Sequence, residues 1–230
     1  AEHVLLICLP ALSADAWTLK NLVQEITRCY TSAGHGAESA DDVTTYLQFS
    51  EWQNELVEAE DETAAAGIAY WRKQNLTSAP APALPFENQI APDTAFAPAT
   101  LTLHLDAPLG ARIEAVAGAY GVTVADFLLG CWQTLLWRLS GQSEIAVSAL
   151  FNGRKYEELH EALGLFARSL PVQIHVEAEM QFSEVLRQAR EAVHQADEWQ
   201  EYFSEAESGS EGSEVPDHPV RFSFVEGWSR

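Results

Sequence analysis

The second half of the chain alternates between strand-like and helix-like segments, and this order restricts the possible folds more than any other feature of the sequence. Apolar runs and alternating patterns predict strands at residues 101–105, 145–150, 170–176 and 220–225. Helical spacing and capping residues predict helices from Asp106 to Gly121, from Thr123 to about Leu139 and from Phe182 to about Gln200. This alternation favours an α/β sandwich in which a layer of helices covers a sheet.

The first residues of the chain predict a strand, a sharp loop and a helix. Residues 4–9 form a nearly continuous apolar run, which is typical of a strand buried on both faces. Ser13 and Asp15 are both suitable N-cap residues for a helix whose apolar positions recur at three- and four-residue spacing as far as Tyr30. A hydrogen bond from Ser13 to a substrate amine is an alternative, but capping requires fewer assumptions. Such a loop is a favoured place for chemistry, because backbone N–H groups point out of it.

Five motifs in the same order resemble the condensation domains of nonribosomal peptide synthetases. The loop at residues 10–18 resembles the HHxxxDG motif of that family. It keeps the aspartate as Asp15 and the tryptophan that often follows as Trp17. Pro10 and Ala11 stand at the two histidine positions, and Ala16 stands at the glycine position. The other matches, to YxDFAVW, AYWRxxL, the GR turn and IGxFVNTL, lie at Tyr46–Trp52, Ala69–Gln74, Asn152–Arg154 and Leu163–Leu170.

The resemblance implies an α/β fold of two lobes, each a two-layer sandwich similar to a chloramphenicol acetyltransferase monomer, with the active site in a tunnel between them. It assigns residues 1–77 to the C-terminal part of the first lobe and residues 101–230 to a larger but incomplete part of the second. Residues 78–100 hold half of the ten prolines and are predicted to be an extended inter-lobe linker. An incomplete lobe would expose apolar surface, so we expect self-association or a position inside a larger chain.

The altered motif determines what the resemblance implies about activity. In the family the second histidine is the residue held to matter for amide formation, and Ala11 stands in its place. The first hypothesis is therefore a catalytically degenerate condensation-like domain that serves as a scaffold or docking surface for peptidyl carrier, adenylation or tailoring domains. The alternative is an active acyltransferase that forms a peptide bond between carrier-tethered aminoacyl substrates without the usual histidine, by positioning and tunnel electrostatics. Neither hypothesis requires a bound cofactor, because the phosphopantetheine arms belong to the carrier domains.

Within these motifs we expect four residues to have a structural role: Asp15, Trp17, Gly153 and Arg154. In the family the aspartate is thought to organise the loop through a buried ion pair, and we expect Asp15 to do the same with Arg154 or Arg168 as its partner. A catalytic carboxylate at Asp15 is the alternative. No catalytic residue is predicted at the other motif positions.

Composition excludes several classes of partner and site. The formal net charge is −21, from 34 acidic and 13 basic residues, which argues against nucleic acids and anionic membranes as partners. No apolar run approaches the ~20 residues of a membrane span, and we expect a cytoplasmic protein. Cys8, Cys29 and Cys131 all lie in apolar patterns and are predicted to be buried thiols. His194 and Glu198 share a helix face, but two ligands do not make a metal site.

Overall fold

A computed structural model describes residues 4–32, 43–59, 61–74, 83–85, 97–204 and 220–225. Its helices are α1 (Ala16–Ser32), α2 (Tyr46–Glu58), α3 (Glu62–Lys73), α4 (Ala107–Tyr120), α5 (Val124–Ser140) and α6 (Phe182–Glu198). Its strands are β1 (Glu144–Phe151), β2 (Arg168–His175) and β3 (Arg221–Phe222), and short 3₁₀ helices occupy Glu157–Leu159 and Gln200–Tyr202. Most of the predicted linker at residues 78–100 lies outside the described residues.

Local capping interactions explain where α4 and α5 begin and end. The Asp106 side chain accepts a hydrogen bond in the first turn of α4, and Thr123 and Asp126 form a reciprocal capping box at the start of α5. Gly121 and Gly141 follow the two helices with φ of 67° and 70°, a left-handed conformation that glycine adopts without steric cost. Both helices therefore have the boundaries that their sequence predicts, to within a residue.

The structure divides into two compact units that interleave along the chain. Unit 1 consists of Ala1–Trp71, Leu150–Leu170 and Trp199–Phe203, and unit 2 consists of Arg72–Ala149, Pro171–Glu198 and Ser204–Arg230. The division into two lobes joined at residues 78–100 stays a prediction.

Unit 2 contains a layer of helices packed on a sheet. The three-stranded sheet has the order β2-β1-β3, and β3 runs parallel to β1 with Arg221 opposite Ser148. Helix α5 contacts β2 through Gln133, which is fully buried and whose Nε2 donates a hydrogen bond to the Val172 carbonyl oxygen at 3.1 Å. Helices α5 and α6 pack closely at Gly130. This arrangement confirms the predicted α/β class, although β3 is shorter than the predicted strand at residues 220–225.

The core of unit 1 is an aromatic cluster around Phe166. The ring centroid of Phe166 lies 4.9 Å from that of Phe49 and 5.3 Å from that of Tyr46. Leu159 and Ala162 complete the buried part of this cluster. Helix α2 is therefore held against the segment that connects β1 to β2.

Two predicted strands are wrong. Residues 4–9 and 101–105 belong to no strand, and most of their side chains face solvent, with Val4 91% and Leu103 77% exposed. An apolar run favours a buried strand only where another part of the protein packs against it, and the sequence pattern does not show whether such a part exists. No described residue covers most of either segment.

The prediction of three buried thiols is also wrong. Cys8 lies in the exposed segment before α1, and Cys29 lies on an exposed face of that helix, where its thiol donates to Glu25. Cys131 is half-buried, and its burial raises the pKa of the thiol. The apolar neighbours of Cys8 and Cys29 in sequence are themselves exposed, so the pattern does not indicate burial here.

Most residues of α4 are exposed, and Ala117 is the one that is fully buried. Among the described helices, none is by itself long and apolar enough to cross a membrane. Helices α4 and α5 reach the required length and hydropathy only when they are taken together across a 94° bend.

His175, at the end of β2, is expected to make stability depend on pH. Its Nδ1 lies 2.6 Å from Glu144 Oε1 and its Nε2 lies 3.2 Å from Glu177 Oε1. The hydrogen bonds that the ring makes to the carboxylates of Glu144 and, next in effect, Glu177 raise the pKa of His175. Because the folded state holds this proton more tightly, the cluster stabilises the fold below the ordinary histidine pKa of about 6.5, and the stabilisation is lost as the pH rises through the folded pKa.

Two measurements check this expectation. An NMR titration of the ring should give a pKa above about 6.5, and His175→Gln should lower stability more in mild acid than in mild alkali. The effect should be small and should weaken in salt, because the groups are exposed. His104→Gln is the control, since His104 is also exposed but has no ion pair with any described residue. Equal pH dependence of the two variants would contradict the prediction.

Candidate functional site

The loop before α1 is organised by a turn and a helix cap. The backbone N–H and the hydroxyl of Ser13 both donate to the Pro10 carbonyl oxygen, at 3.0 and 3.1 Å. Asp15 Oδ1 accepts a hydrogen bond from Thr18 N at 2.7 Å. Asp15 is therefore the N-cap of α1, whereas Ser13 closes the preceding turn and does not cap the helix. Ala16 is the first residue of α1.

Asp15 forms a buried, bidentate ion pair with Arg154. Arg154 Nη1 lies 2.9 Å from Asp15 Oδ2 and Nη2 lies 3.1 Å from Oδ1. The side chains of Arg154 and Asp15 are 2% and 4% exposed. Arg168, the other candidate partner, instead donates to the Gln200 carbonyl oxygen at 3.0 Å. The geometry thus selects Arg154 from the two arginines that the sequence left open.

Three backbone N–H groups complete the surroundings of the Asp15 carboxylate. Phe166 N and Ala167 N each donate to Oδ2 at 3.0 Å, which brings the hydrogen bonds accepted by Asp15 to five. Burial by itself would raise the pKa of Asp15, but the hydrogen bonds from Arg154, Thr18 and Ala167 outweigh it and hold the pKa below the usual value. The carboxylate is therefore ionised at neutral pH, and both of its oxygens are occupied.

Thr18 is a member of this network that the sequence analysis did not identify. Its Oγ1 accepts hydrogen bonds from Arg154 Nη2 at 2.9 Å and from Gly164 N at 3.0 Å, and it donates to the Gly164 carbonyl oxygen. Its position three residues after Asp15, on the same side of the first helical turn, is the signal that could have identified it. Thr18 ties the start of α1 to the segment before β2.

A tight turn after β1 presents Arg154 to this network. Gly153 is buried with φ of 68°, and a Cβ built on it would overlap the Phe166 carbonyl oxygen. Arg154 N donates to the Asn152 side chain at 2.9 Å, and the Arg154 guanidinium lies 4.5 Å from the Phe166 ring centroid. Only a residue without a side chain fits between the turn and the backbone of Phe166.

The remaining motif positions contribute no charge or proton-transfer group. Pro10 and Ala11 are exposed, and Trp17 is half-buried without a hydrogen bond to any described residue. Asp15 is the one ionisable side chain between residues 10 and 16. Within the part of the chain that the structure describes, no group of three or more His, Cys, Asp or Glu side chains is placed to hold a metal ion. The site can anchor three chain segments, and no group in the loop is free to take a proton.

Comparisons with known proteins agree with the motifs. The sequence model of the family described as "Condensation domain" matches residues 2–205. One subunit of the linear gramicidin synthase of Brevibacillus parabrevis is 28% identical over 197 residues, which are 85% of this chain and 2% of that protein. Malpibaldin synthetase of Mortierella alpina is 24% identical over 195 residues, which are 84% of this chain and 4% of that protein.

Two solved structures have a similar fold. The first condensation domain of the calcium-dependent antibiotic synthetase, in complex with substrate analogue 3a, matches with a TM-score of 0.74 at 17% identity, over 96% of this chain and 48% of that one. A chain in the complex of the X-domain and OxyB from teicoplanin biosynthesis matches with a TM-score of 0.68 at 22% identity, over 83% of this chain and 43% of that one. The chain spans less than half of the length of either structure.

Proposed function

The chain belongs to the condensation domain family, and we propose that it is a catalytically degenerate member that serves as a scaffold or docking surface in a peptide synthetase. The observation that supports this most is the hydrogen bonding of the Asp15 carboxylate. Its carboxylate accepts five hydrogen bonds that hold the loop, α1 and the segment before β2 together. The loop thus keeps its architecture while it lacks a side chain that can accept a proton.

Proton transfer is the step that the altered loop does not support. When an amine attacks a thioester, the nitrogen must lose a proton, and a general base must lie within hydrogen-bond reach with a pKa near the working pH. The methyl group of Ala11, at the position of the family's second histidine, cannot accept a proton. Asp15 is a poor base, because its pKa is lowered and its oxygens are occupied. Its role is therefore structural in this proposal.

The proposed partners are the other domains of a synthetase. The relatives from linear gramicidin synthase and malpibaldin synthetase are many times longer than this chain, which leaves room for further domains in such proteins. We expect peptidyl carrier and adenylation domains as partners, with the substrates on the phosphopantetheine arms of the carriers and no cofactor held by this chain. The complex of the X-domain and OxyB motivates a tailoring enzyme as a further candidate.

A condensation assay with the full-length protein tests the proposal. Donor and acceptor aminoacyl groups are loaded on carrier domains, and peptide formation is compared between the native loop, Ala11→His and Asp15→Ala. We expect no peptide above the uncatalysed background from the native loop, while binding of the carrier and adenylation domains is retained. A gain of turnover in Ala11→His would identify the missing side chain as the cause.

The opposite result would favour the active acyltransferase. In that case the native loop forms peptide, and Asp15→Ala abolishes turnover although its circular dichroism and its melting transition show a folded protein. The loop with Asp15 would then be a working site of altered design, in which positioning of two tethered substrates and local electrostatics supply the rate enhancement without the usual histidine.

A further inference from the structure

A groove of about 250 Å³ lies on unit 1 between α1 and residues 161–163. Beside it, Asn21 Nδ2 donates to the carbonyl oxygens of His160 at 2.7 Å and Ala162 at 3.4 Å, which fixes α1 against this segment. Polar side chains line it along α1, and Val43, Leu163 and the acidic Glu161 line the remainder. Its volume is just below the range of common small-molecule sites.

The charged residues of the groove differ in the number of hydrogen bonds and ion pairs that they make within the protein. Arg28 donates from Nε and Nη2 to the two carboxylate oxygens of Glu25, both at 2.9 Å, so Glu25 is paired. The remaining N–H groups of Arg28 make no hydrogen bond to any described residue. Among the described residues, Glu161 and Gln24 likewise have neither a hydrogen bond nor an ion pair. Hydrogen bonds to Glu25 raise the pKa of Arg28, and the nearby charge of Glu161 adds to this effect.

The groove therefore offers one free guanidinium edge, one free carboxylate and one free amide beside two aliphatic side chains. An anion alone would face the carboxylates of Glu25 and Glu161, and a cation alone would face Arg28. A neutral apolar molecule would use neither the Arg28 guanidinium nor the Glu161 carboxylate. A small zwitterion satisfies both charges at once.

We propose that this groove binds a free aliphatic α-amino acid. The ligand carboxylate accepts hydrogen bonds from the free edge of Arg28, and its ammonium donates to the Glu161 carboxylate. Its side chain contacts Val43 and Leu163. Binding is expected in the millimolar range, because the groove is open and its charges are largely solvated. This site is separate from Asp15 and Arg154 and does not depend on the proposed function.

Titration of the ¹⁵N-labelled chain with L-leucine, followed by NMR, tests the proposal. We expect saturable shifts of backbone amides at residues 21–28 and 161–163. Leucinol, which lacks the carboxylate, and 4-methylpentanoate, which lacks the ammonium, should each bind about five- to tenfold more weakly, as expected for the loss of one solvated charge pair. Absence of saturable shifts, as would follow if Arg28 and Glu161 closed the groove on each other, overturns the proposal.

Variants test whether the Arg28 guanidinium and the Glu161 carboxylate each contribute to binding. Glu161→Gln and Arg28→Gln should each weaken L-leucine binding about five- to tenfold. Arg187→Gln is a matched control, because Arg187 pairs with Glu184 on α6 in the same i,i+3 geometry. It should bind L-leucine as the native chain does. All three residues are exposed, so the variants should fold, and equal binding by Glu161→Gln and the native chain would also overturn the proposal.

Discussion

Replacing Arg154 with methionine is expected to lower the free energy of unfolding by about 3–5 kcal/mol. The substitution leaves the Asp15 carboxylate 4% exposed without its counter-charge. It also removes hydrogen bonds to Thr18 Oγ1 and to the Ala162 carbonyl oxygen. Removing one partner of a buried pair costs far more than the pair contributes, because a desolvated charge remains. Urea denaturation of the native chain and the variant at neutral pH measures the difference.

Two controls accompany this prediction: the same measurement at acidic pH, and a variant that breaks an ion pair on the surface. Because the folded-state pKa of Asp15 is lowered, the stabilisation by the pair is present above the ordinary aspartate pKa and is lost as the pH falls through the lowered value. The difference between the native chain and Arg154→Met should therefore shrink in acid. Arg187→Met, which breaks an exposed pair with Glu184, should cost far less, because solvent and salt screen that pair. A similar loss in both variants would contradict the structural role of Arg154.

Gly153→Ala is expected to destabilise the protein by about 2–5 kcal/mol. A left-handed φ costs a residue with a side chain about 1–2 kcal/mol, and steric overlap in a packed interior adds about 1–3 kcal/mol. The overlapping atom is the backbone carbonyl oxygen of Phe166, which cannot turn away like a flexible side chain. Its displacement would also disturb the hydrogen bonds that Phe166 N and Ala167 N donate to Asp15.

Gly121→Ala separates these two contributions. Gly121 has φ of 67°, nearly that of Gly153, but a Cβ on Gly121 would meet no atom within 4 Å. This control should lose only the conformational part, about 1–2 kcal/mol. Thermal unfolding of both variants under the same conditions gives the comparison. If the two losses are equal, the close approach of the turn to Phe166 contributes nothing measurable.

Interactions between near neighbours in sequence made much of the fold predictable. The capping box of Thr123 and Asp126 and the left-handed Gly121 act within one helical turn, so four or five residues contain the necessary information. The strands at residues 145–150 and 170–176 were predictable because their apolar runs do meet a helix layer. Residues 4–9 and 101–105 have the same kind of pattern, and no described surface covers most of them.

The candidate site was predictable only in part. The motif resemblance identified Asp15 and left two arginines as candidates for its ion-pair partner, and the sequence alone did not distinguish between them. Arg154 lies 139 residues from Asp15, and only the folded turn at Gly153 shows that it reaches the carboxylate. Thr18 was missed because a threonine in a first helical turn is commonplace, and its partner Gly164 is 146 residues away.

The interleaving of unit 1 along the chain has a consequence for protein synthesis. A ribosome that adds about 5–20 residues per second releases Arg154 roughly 7–28 s after Asp15, given their separation of 139 residues. Throughout that interval the nascent α1 has neither the counter-charge of its cap nor the segment that packs against it. Unit 1 is therefore completed only after α4, α5 and β1 have emerged, and until then α1 lacks the buried contacts that hold it in the folded protein.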